Sequence, residues 1–157
     1  MITYKRTDST HPDFKQLVDL LDADLAIRDG GDHAFYHQFN GITDIGHAIV
    51  AYSNDIPVGC GAIKAFRHDI MEVKRMYVIP ESRGKGLGSG LLSELEQWAA
   101  ELGNTHCILE TGKRQPEAIA LYKKNGYSII PNYPPYETME NSVCFQKAVS
   151  SQKNQNS

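Results

Sequence analysis

The sequence predicts a mixed α/β domain in which one central, largely antiparallel sheet carries helices on both faces. Three observations lead there. Stretches that alternate apolar and polar residues at period two are interleaved with stretches of helical period. From Ala48 to Val78 three strand-like runs follow one another with only tight turns between them, which makes them antiparallel neighbours. The segment Arg83-Gly84-Lys85-Gly86-Leu87-Gly88 then joins the third run to a long amphipathic helix.

Ile2, Tyr4 and Arg6 alternate with Thr3, Lys5 and Thr7, which reads as a first strand. Thr10, followed by Pro12 and Asp13, marks a helix start, and Phe14, Leu17, Val18, Leu21 and Leu25 recur at helical spacing. Arg28 to Asp44 is rich in glycine and reads as a partly irregular excursion with a short helix around Ala34 to Phe39. Strands follow at Ala48–Tyr52, Ile56–Phe66 and Ile70–Val78, with turns at Asn54-Asp55 and His68-Asp69. The helix opening at Gly88 buries Leu87, Leu91, Leu92, Leu95, Trp98, Ala99 and Leu102 on one face, and Gly103 stops it with a left-handed cap. Thr105 to Glu110 is a strand. Gln115-Pro116-Glu117 opens a second helix, with proline early and an acid in the first turn, and Asn125-Gly126 ends it. A short strand at Tyr127–Ile130, a proline-rich loop at Pro131–Pro135 and a last strand at Ser142–Lys147 complete a single domain over residues 1–147. Residues 148–157, rich in Ser, Gln and Asn, read as a frayed tail.

At 157 residues the chain is long enough to bury a core without disulfide or metal staples. A net charge of -3 argues against general nucleic-acid binding, which draws its affinity from a basic excess. Cys60, Cys107 and Cys144 are odd in number and lie in apolar strand contexts, which suits reduced core thiols in the cytoplasm. No Cys-x-x-Cys offers a zinc site, and no run approaches a membrane span. The expectation is a cytoplasmic protein without metal.

The glycine turn from Arg83 to Gly88 reads as an anion cradle. Three alternate glycines remove the side chains that would keep a diphosphate off the backbone, and the next helix adds unpaired amides and a positive dipole end. A nucleoside-triphosphate loop needs Gly-Lys followed by Ser or Thr after a four-residue gap, and no such string occurs. A dinucleotide fingerprint needs Gly-x-Gly-x-x-Gly, but position 89 is Ser and position 91 is Leu. Glu110 stands roughly where a ribose-binding acid would, about 20 residues on, so that reading is weakened rather than removed. The plain alternative is a tight strand-to-helix turn.

The element order, with Glu72-Val73-Lys74-Arg75-Met76-Tyr77-Val78 feeding Pro80 and the glycine turn, resembles the GNAT-type N-acetyltransferases. Arg83, Gly86 and Gly88 satisfy that family's signature of Gln or Arg, two residues, Gly, one residue, then Gly or Ala. Leu121-Tyr122-Lys123-Lys124-Asn125-Gly126-Tyr127 is similar to its Leu-Tyr-x-x-x-Gly-Phe, with Tyr in the last place. The resemblance implies the GNAT acyl-CoA acyltransferase fold and acetyl-CoA as donor. It places the pyrophosphate on the amides of Arg83, Gly84, Lys85, Gly86, Leu87 and Gly88, and the pantetheine beside Met76, Tyr77 and Val78. Lys85, Lys123 or Lys124 would meet the 3'-phosphate. Gln115 stands where the family often has an asparagine that bonds the pantetheine arm, and carries the same amide on a longer stem.

An amine with a pKa of about 10.4 is almost wholly protonated at neutral pH, so acetyl transfer to it needs a base, an oxyanion donor and an acid for the thiolate. The resemblance implies a backbone N–H around Met76 to Val78 for the oxyanion. It implies Tyr122 for the acid, against the alternative of a core aromatic on the face of Ala118 and Ile119. Glu72 is the first choice for the base, placed where the histone-acetylating branch has its glutamate, against an exposed glutamate on a strand edge. Glu110 is the reserve, and many members use ordered water.

The acceptor, a primary amine of a small molecule or peptide, is expected between the excursion and the loop of Pro131, Tyr133, Pro134 and Tyr136. Asp22, Asp24, Asp29, Asp32 and Asp44 would draw a cation there, although caps and solvated turns also account for such aspartates. His33 and His37 share a helix face without a third metal ligand, and Gly59-Cys60-Gly61 reads as packing more readily than as a nucleophile. A non-catalytic acyl-CoA-binding or sensing module is the alternative function. The family expectation extends to a homodimer.

Overall fold

The computed structural model describes residues 1–39, 41–42 and 45–150. Asp44 and residues 151–157 of the expected tail lie outside them. The described elements are β1 (Ile2–Thr7), α1 (Pro12–Asp29), α2 (His33–His37), β2 (His47–Ser53), β3 (Ile56–Arg67), β4 (Ile70–Val78), α3 (Leu87–Glu101), β5 (His106–Gly112), α4 (Pro116–Lys124), β6 (Ser128–Ile130) and β7 (Ser142–Ala148). The strands hydrogen-bond in the order β1-β2-β3-β4-β5-β7-β6. Pairing is antiparallel in β1/β2, β2/β3, β5/β7 and β6/β7 and parallel in β4/β5, so the sheet is mixed as the sequence predicts.

The first of two compact units comprises Met1–Lys64 and Val73–Leu95. Its middle strand is buried from Val58 to Ile63 without a break, the pattern of a strand covered on both faces. The two faces meet different partners. Cys60 and Ala62 join Phe14, Leu17, Val18 and Leu21 of α1 in one apolar cluster with Ala48, Val50 and Tyr77. Gly59 and Gly61 point the other way, where an added Cβ would stand 3.2 Å from Leu91 Cδ1 and 2.8 Å from Leu95 Cδ1 of α3. Glycine at these two positions lets the helix approach the strand. The Gly59-Cys60-Gly61 string is therefore a packing device. Burial pushes the Cys60 thiol up to about 12, against a smaller opposing pull from Arg75, so the nucleophile reading fails.

Helix α1 is capped by His11, whose Nδ1 accepts from the Asp13 amide at 3.1 Å, and not by Thr10. Asp8 has already taken the Thr10 amide, at 2.9 Å. The helix runs to Asp29, and a 3-10 turn over Gly30–Asp32 leads directly into α2, so less of the excursion is irregular than its glycines suggest. Tyr52 on β2 donates to Asp13 Oδ2 at 2.7 Å, and Lys74 on β4 donates to the Phe39 carbonyl at 2.9 Å, tying α1 and the turn after α2 to their strands.

The second unit comprises Ala65–Glu72 and the chain from Glu96 onward. Gly103, at φ +94°, closes α3 in a six-to-one turn: Asn104 N–H donates to Ala99 O and Gly103 N–H to Ala100 O, both at 3.0 Å. Leu102 occupies the cap, where the chain leaves the helix, and is 46% exposed rather than part of the apolar stripe. Helix α4 ends the same way. Gly126 has φ +89°, Tyr127 N–H donates to Tyr122 O at 3.0 Å, and Gly126 N–H donates to Lys123 O at 3.2 Å. The aromatic contact that commonly closes this motif is present too, with the Tyr122 and Tyr127 rings 5.9 Å apart. The string from Leu121 to Tyr127 is thus a complete helix terminator.

Strand β7 lies between β5 and β6, pairing Gly112 with Ser142 at one end and His106 with Ala148 at the other. Val149 N–H still donates to Thr105 O at 2.9 Å, so ordered pairing reaches past Lys147. Tyr127 donates to Glu96 Oε2 at 2.9 Å and Lys147 to Glu96 Oε1 at 2.7 Å, which satisfies a carboxylate that is largely buried.

Candidate active site

The residues singled out from the sequence fall in both units. Met76–Val78 and Arg83–Gly88 belong to the first, and Glu72, Gln115 and Tyr122 to the second.

In the first unit, β4 alternates in burial through Tyr77, with Met76 and Val78 half-buried. Its irregular point is Arg75, at φ +57°, a left-handed conformation that a non-glycine residue holds only under constraint. Two constraints are visible. The Arg75 guanidinium, 2% exposed, pairs with Asp22 of α1, and the Cys60 thiol donates to the Arg75 carbonyl at 3.4 Å. A left-handed residue inside a strand bends it and disrupts the ladder locally, which re-aims the peptide groups that follow.

A 3-10 turn over Pro80–Ser82 then leads into the glycine turn. Gly84 and Gly86 have φ of +78° and +83°, and an added Cβ at either would meet nothing within 4 Å. Within the chain itself it is backbone conformation, and no crowding, that calls for glycine at both. Helix α3 opens at Leu87, one residue earlier than expected, and its first described bond is Gly90 N–H to Gly86 O at 3.0 Å. The amides of Leu87 and Gly88 therefore lie in the first helical turn, where backbone geometry supplies no partner. Gly84, Lys85 and Gly86 are exposed. Arg83 is exposed too, and its contacts are with the chain itself. Its amide donates to Pro80 O at 3.3 Å, its Nε donates to Val78 O at 2.8 Å, and its guanidinium lies 5.6 Å from the Tyr77 ring centre. An amide-lined, cation-flanked turn of this kind suits a phosphate-bearing ligand.

In the second unit, Tyr133 donates to Glu72 Oε2 at 2.8 Å and packs edge-on against Phe66 and Tyr136, with ring centres 5.0 and 5.8 Å away. Burial, then the charge and hydrogen bond of Glu72, raise the Tyr133 pKa, so the phenol keeps its proton. Tyr122 is 6% exposed, and the Phe145 ring centre lies 5.9 Å from its own. Burial, then Glu110, raise its pKa as well. Glu110 itself accepts from Ser142 Oγ at 2.7 Å. Gln115 caps α4 by position without a side-chain bond, and its carboxamide comes to the end of β5 beside Gly112 and Asn141.

The acidic excursion is partly neutralised. Asp22 pairs with Arg75, and Asp24 with Arg28 at 3.1 Å. The His33 and His37 rings are 5.3 Å apart on α2, and no group of three metal-ligating side chains is found among the described residues. No described helix is long and apolar enough to cross a membrane. Sequence reasoning missed three features: the left-handed Arg75, the Tyr133–Glu72 bond and the buried Asn141. None has a local signal.

The profile of the Acetyltransferase (GNAT) family matches residues 14–127, and the chain belongs to that family. An IAA acetyltransferase of Azospirillum brasilense is 40% identical over 89 residues, which cover 56% of this chain and 58% of that protein. The chain thus spans little more than half the length of the curated relatives it matches. A crystal structure of a protein described as an acyl-CoA N-acyltransferase from Klebsiella pneumoniae superposes with a TM-score of 0.80 at 31% identity, over 95% of this chain and 98% of that one. The PaiA N-acetyltransferase of Thermoplasma acidophilum, solved in complex with coenzyme A, shares the fold at a TM-score of 0.70 and 18% identity, over 94% and 99%.

Proposed function

We propose that this chain transfers the acetyl group of acetyl-CoA to a primary amine of a small molecule or peptide, without an acyl-enzyme. The observation that carries the reading is the glycine turn of a GNAT family member, with Gly84 and Gly86 at positive φ and the Leu87 and Gly88 amides at the opening of α3. In this reading the turn takes the donor's diphosphate, with Lys85 beside it, and Met76, Tyr77 and Val78 flank the pantetheine. Gln115 supplies a further amide contact.

Glu72 accepts the proton of the ammonium, and the neutral amine attacks the thioester carbonyl to form the C–N bond. A backbone N–H of the strand after Arg75 meets the oxyanion. The C–S bond then breaks, Tyr122 gives the thiolate its proton, and the second proton of the attacking nitrogen restores the phenol. The raised pKa of Tyr122 supports hydrogen bonding to the thiolate, completed by a proton arriving from the amine, over unaided ionisation of the phenol.

The test is thiol release from acetyl-CoA across a panel of amines, with Tyr122→Phe and Glu72→Gln alongside. Amine-dependent release that falls in both variants is the expected result. CoA binding without release on any amine would leave a sensing module instead.

A further inference from the structure

Arg75 carries two unfavourable features at one position of β4. Its backbone is left-handed, at φ +57°, where a side chain is crowded and glycine is not. Its guanidinium is 2% exposed, and while Nη2 pairs with Asp22 Oδ1, the buried Nε has no hydrogen-bond partner among the described residues. A buried charge with a donor left over loses hydration that one ion pair only partly offsets, so stability is a poor account of arginine here. Glycine would relieve both features.

What arginine adds is a tether. Asp22 lies on α1 and holds the side chain from there. The Cys60 thiol, a member of the apolar cluster that α1 shares with the sheet, donates to Arg75 O at 3.4 Å. Side chain and carbonyl are thus both held, and because the peptide joining Arg75 to Met76 is planar, a fixed carbonyl fixes the Met76 N–H. The strand is anchored again at Ile79, whose N–H donates to Val58 O at 2.9 Å. Met76, Tyr77 and Val78 are suspended between these two points.

We propose that Asp22 is a positioning residue: through Arg75 it holds the backbone of Met76–Val78 in the orientation that meets the donor's thioester carbonyl, and it touches neither substrate itself. The inference rests on the acetyltransferase reading, in which those residues flank the reacting thioester. It takes Asp22 out of the acidic field expected to draw the acceptor amine. The test uses the full chain with Asp22→Asn, Arg75→Gly and the two combined. Calorimetry compares two donor analogues: the ketone in which methylene replaces the sulfur of acetyl-CoA, and S-ethyl-CoA, which lacks the carbonyl oxygen. Their affinity ratio reads contact with the carbonyl, whereas a general loss of stability or of donor binding would weaken both alike. Amine-dependent thiol release from acetyl-CoA gives kcat beside it.

The expected result is that Asp22→Asn and Arg75→Gly each lose about tenfold in the ratio and in kcat with S-ethyl-CoA affinity unchanged, and that the double variant loses no more than either one. Should Asp22→Asn not fold, Arg75→Gly, which removes the buried charge together with the backbone strain, decides alone. A ratio and kcat equal to wild type in a folded variant would overturn the inference and leave the acetyltransferase reading standing. So would a full further loss when Asp22→Asn is added to Arg75→Gly, since Asp22 would then act directly and not through Arg75. A wild-type chain that binds neither analogue and releases no thiol with any amine would overturn both.

Discussion

The hydroxyl of Tyr133 donates to the carboxylate of Glu72 across 61 residues of sequence, at 2.8 Å. One oxygen of the proposed base is thereby fixed, which orients the other. Tyr133→Phe keeps the edge-on contacts with Phe66 and Tyr136 but removes this hydrogen bond from the carboxylate. We expect kcat to fall about tenfold with the acetyl-CoA KM unchanged, and Glu72→Gln to fall by roughly 10²-fold or more. A Tyr133→Phe enzyme with wild-type kcat would remove the orienting role.

Tyr122 has two separable duties. Its ring closes the end of α4 against Tyr127 and Phe145, and its hydroxyl is the proposed proton donor. Tyr122→Phe should leave the melting temperature within a few degrees of wild type and cut kcat by roughly 10²-fold. Tyr122→Ala should cost about 3–5 kcal/mol of stability as well, seen as an earlier urea midpoint.

Glycine-to-alanine changes separate backbone strain from crowding. Gly86→Ala meets open space but forces alanine to φ +83°, at a cost of about 1–2 kcal/mol or a shift in the turn, so CoA affinity should drop. Gly61→Ala puts a methyl group 2.6 Å from Met76 Sδ and 2.8 Å from Leu95 Cδ1. It should destabilise by about 1–3 kcal/mol through overpacking.

Burial raises the Cys60 and Cys107 thiols to about 12 and Cys144 to about 11, from 9.0. Between those values the unfolded chain releases thiol protons that the folded chain retains. Stability should therefore fall as pH rises from about 9, with the buried tyrosines adding to the loss above pH 10. Thermal melts from pH 8 to 10 should show the decline, and Cys60→Ala should make it shallower.

Asp22→Ala would leave the Arg75 guanidinium buried and unpaired in a strand already bent at that residue. A loss of roughly 3 kcal/mol is expected, at the lower end for a buried pair because Asp22 is itself one-third exposed. A urea titration with an unchanged slope and an earlier midpoint would show it.

Much of this was legible in the sequence because it is encoded locally. Gly103 and Gly126 declare helix ends, and Pro116 declares a first turn. Glycines at 84 and 86 mark a turn that only they relieve. The unread features depend on what lies opposite. Arg75 sits in an ordinary alternating strand, and its left-handed backbone is held by Asp22 and by the Cys60 thiol, both distant in sequence. Tyr133 reads as a loop aromatic until β4 is known. Leu102 fits the apolar stripe of α3 by spacing, but the helix ends before its side chain reaches the core.

Among the described strands β6 pairs with β7 alone, which is inserted between it and β5. During vectorial synthesis, residues 128–130 leave the ribosome with no edge to join until 142–148 have followed. Until then β5 exposes an unsatisfied border, an invitation to a neighbouring nascent chain. Occupancy of that border by trigger-type chaperones, and the yield of soluble protein from stalled chains ending before residue 142, thus become measures of how late this fold is completed.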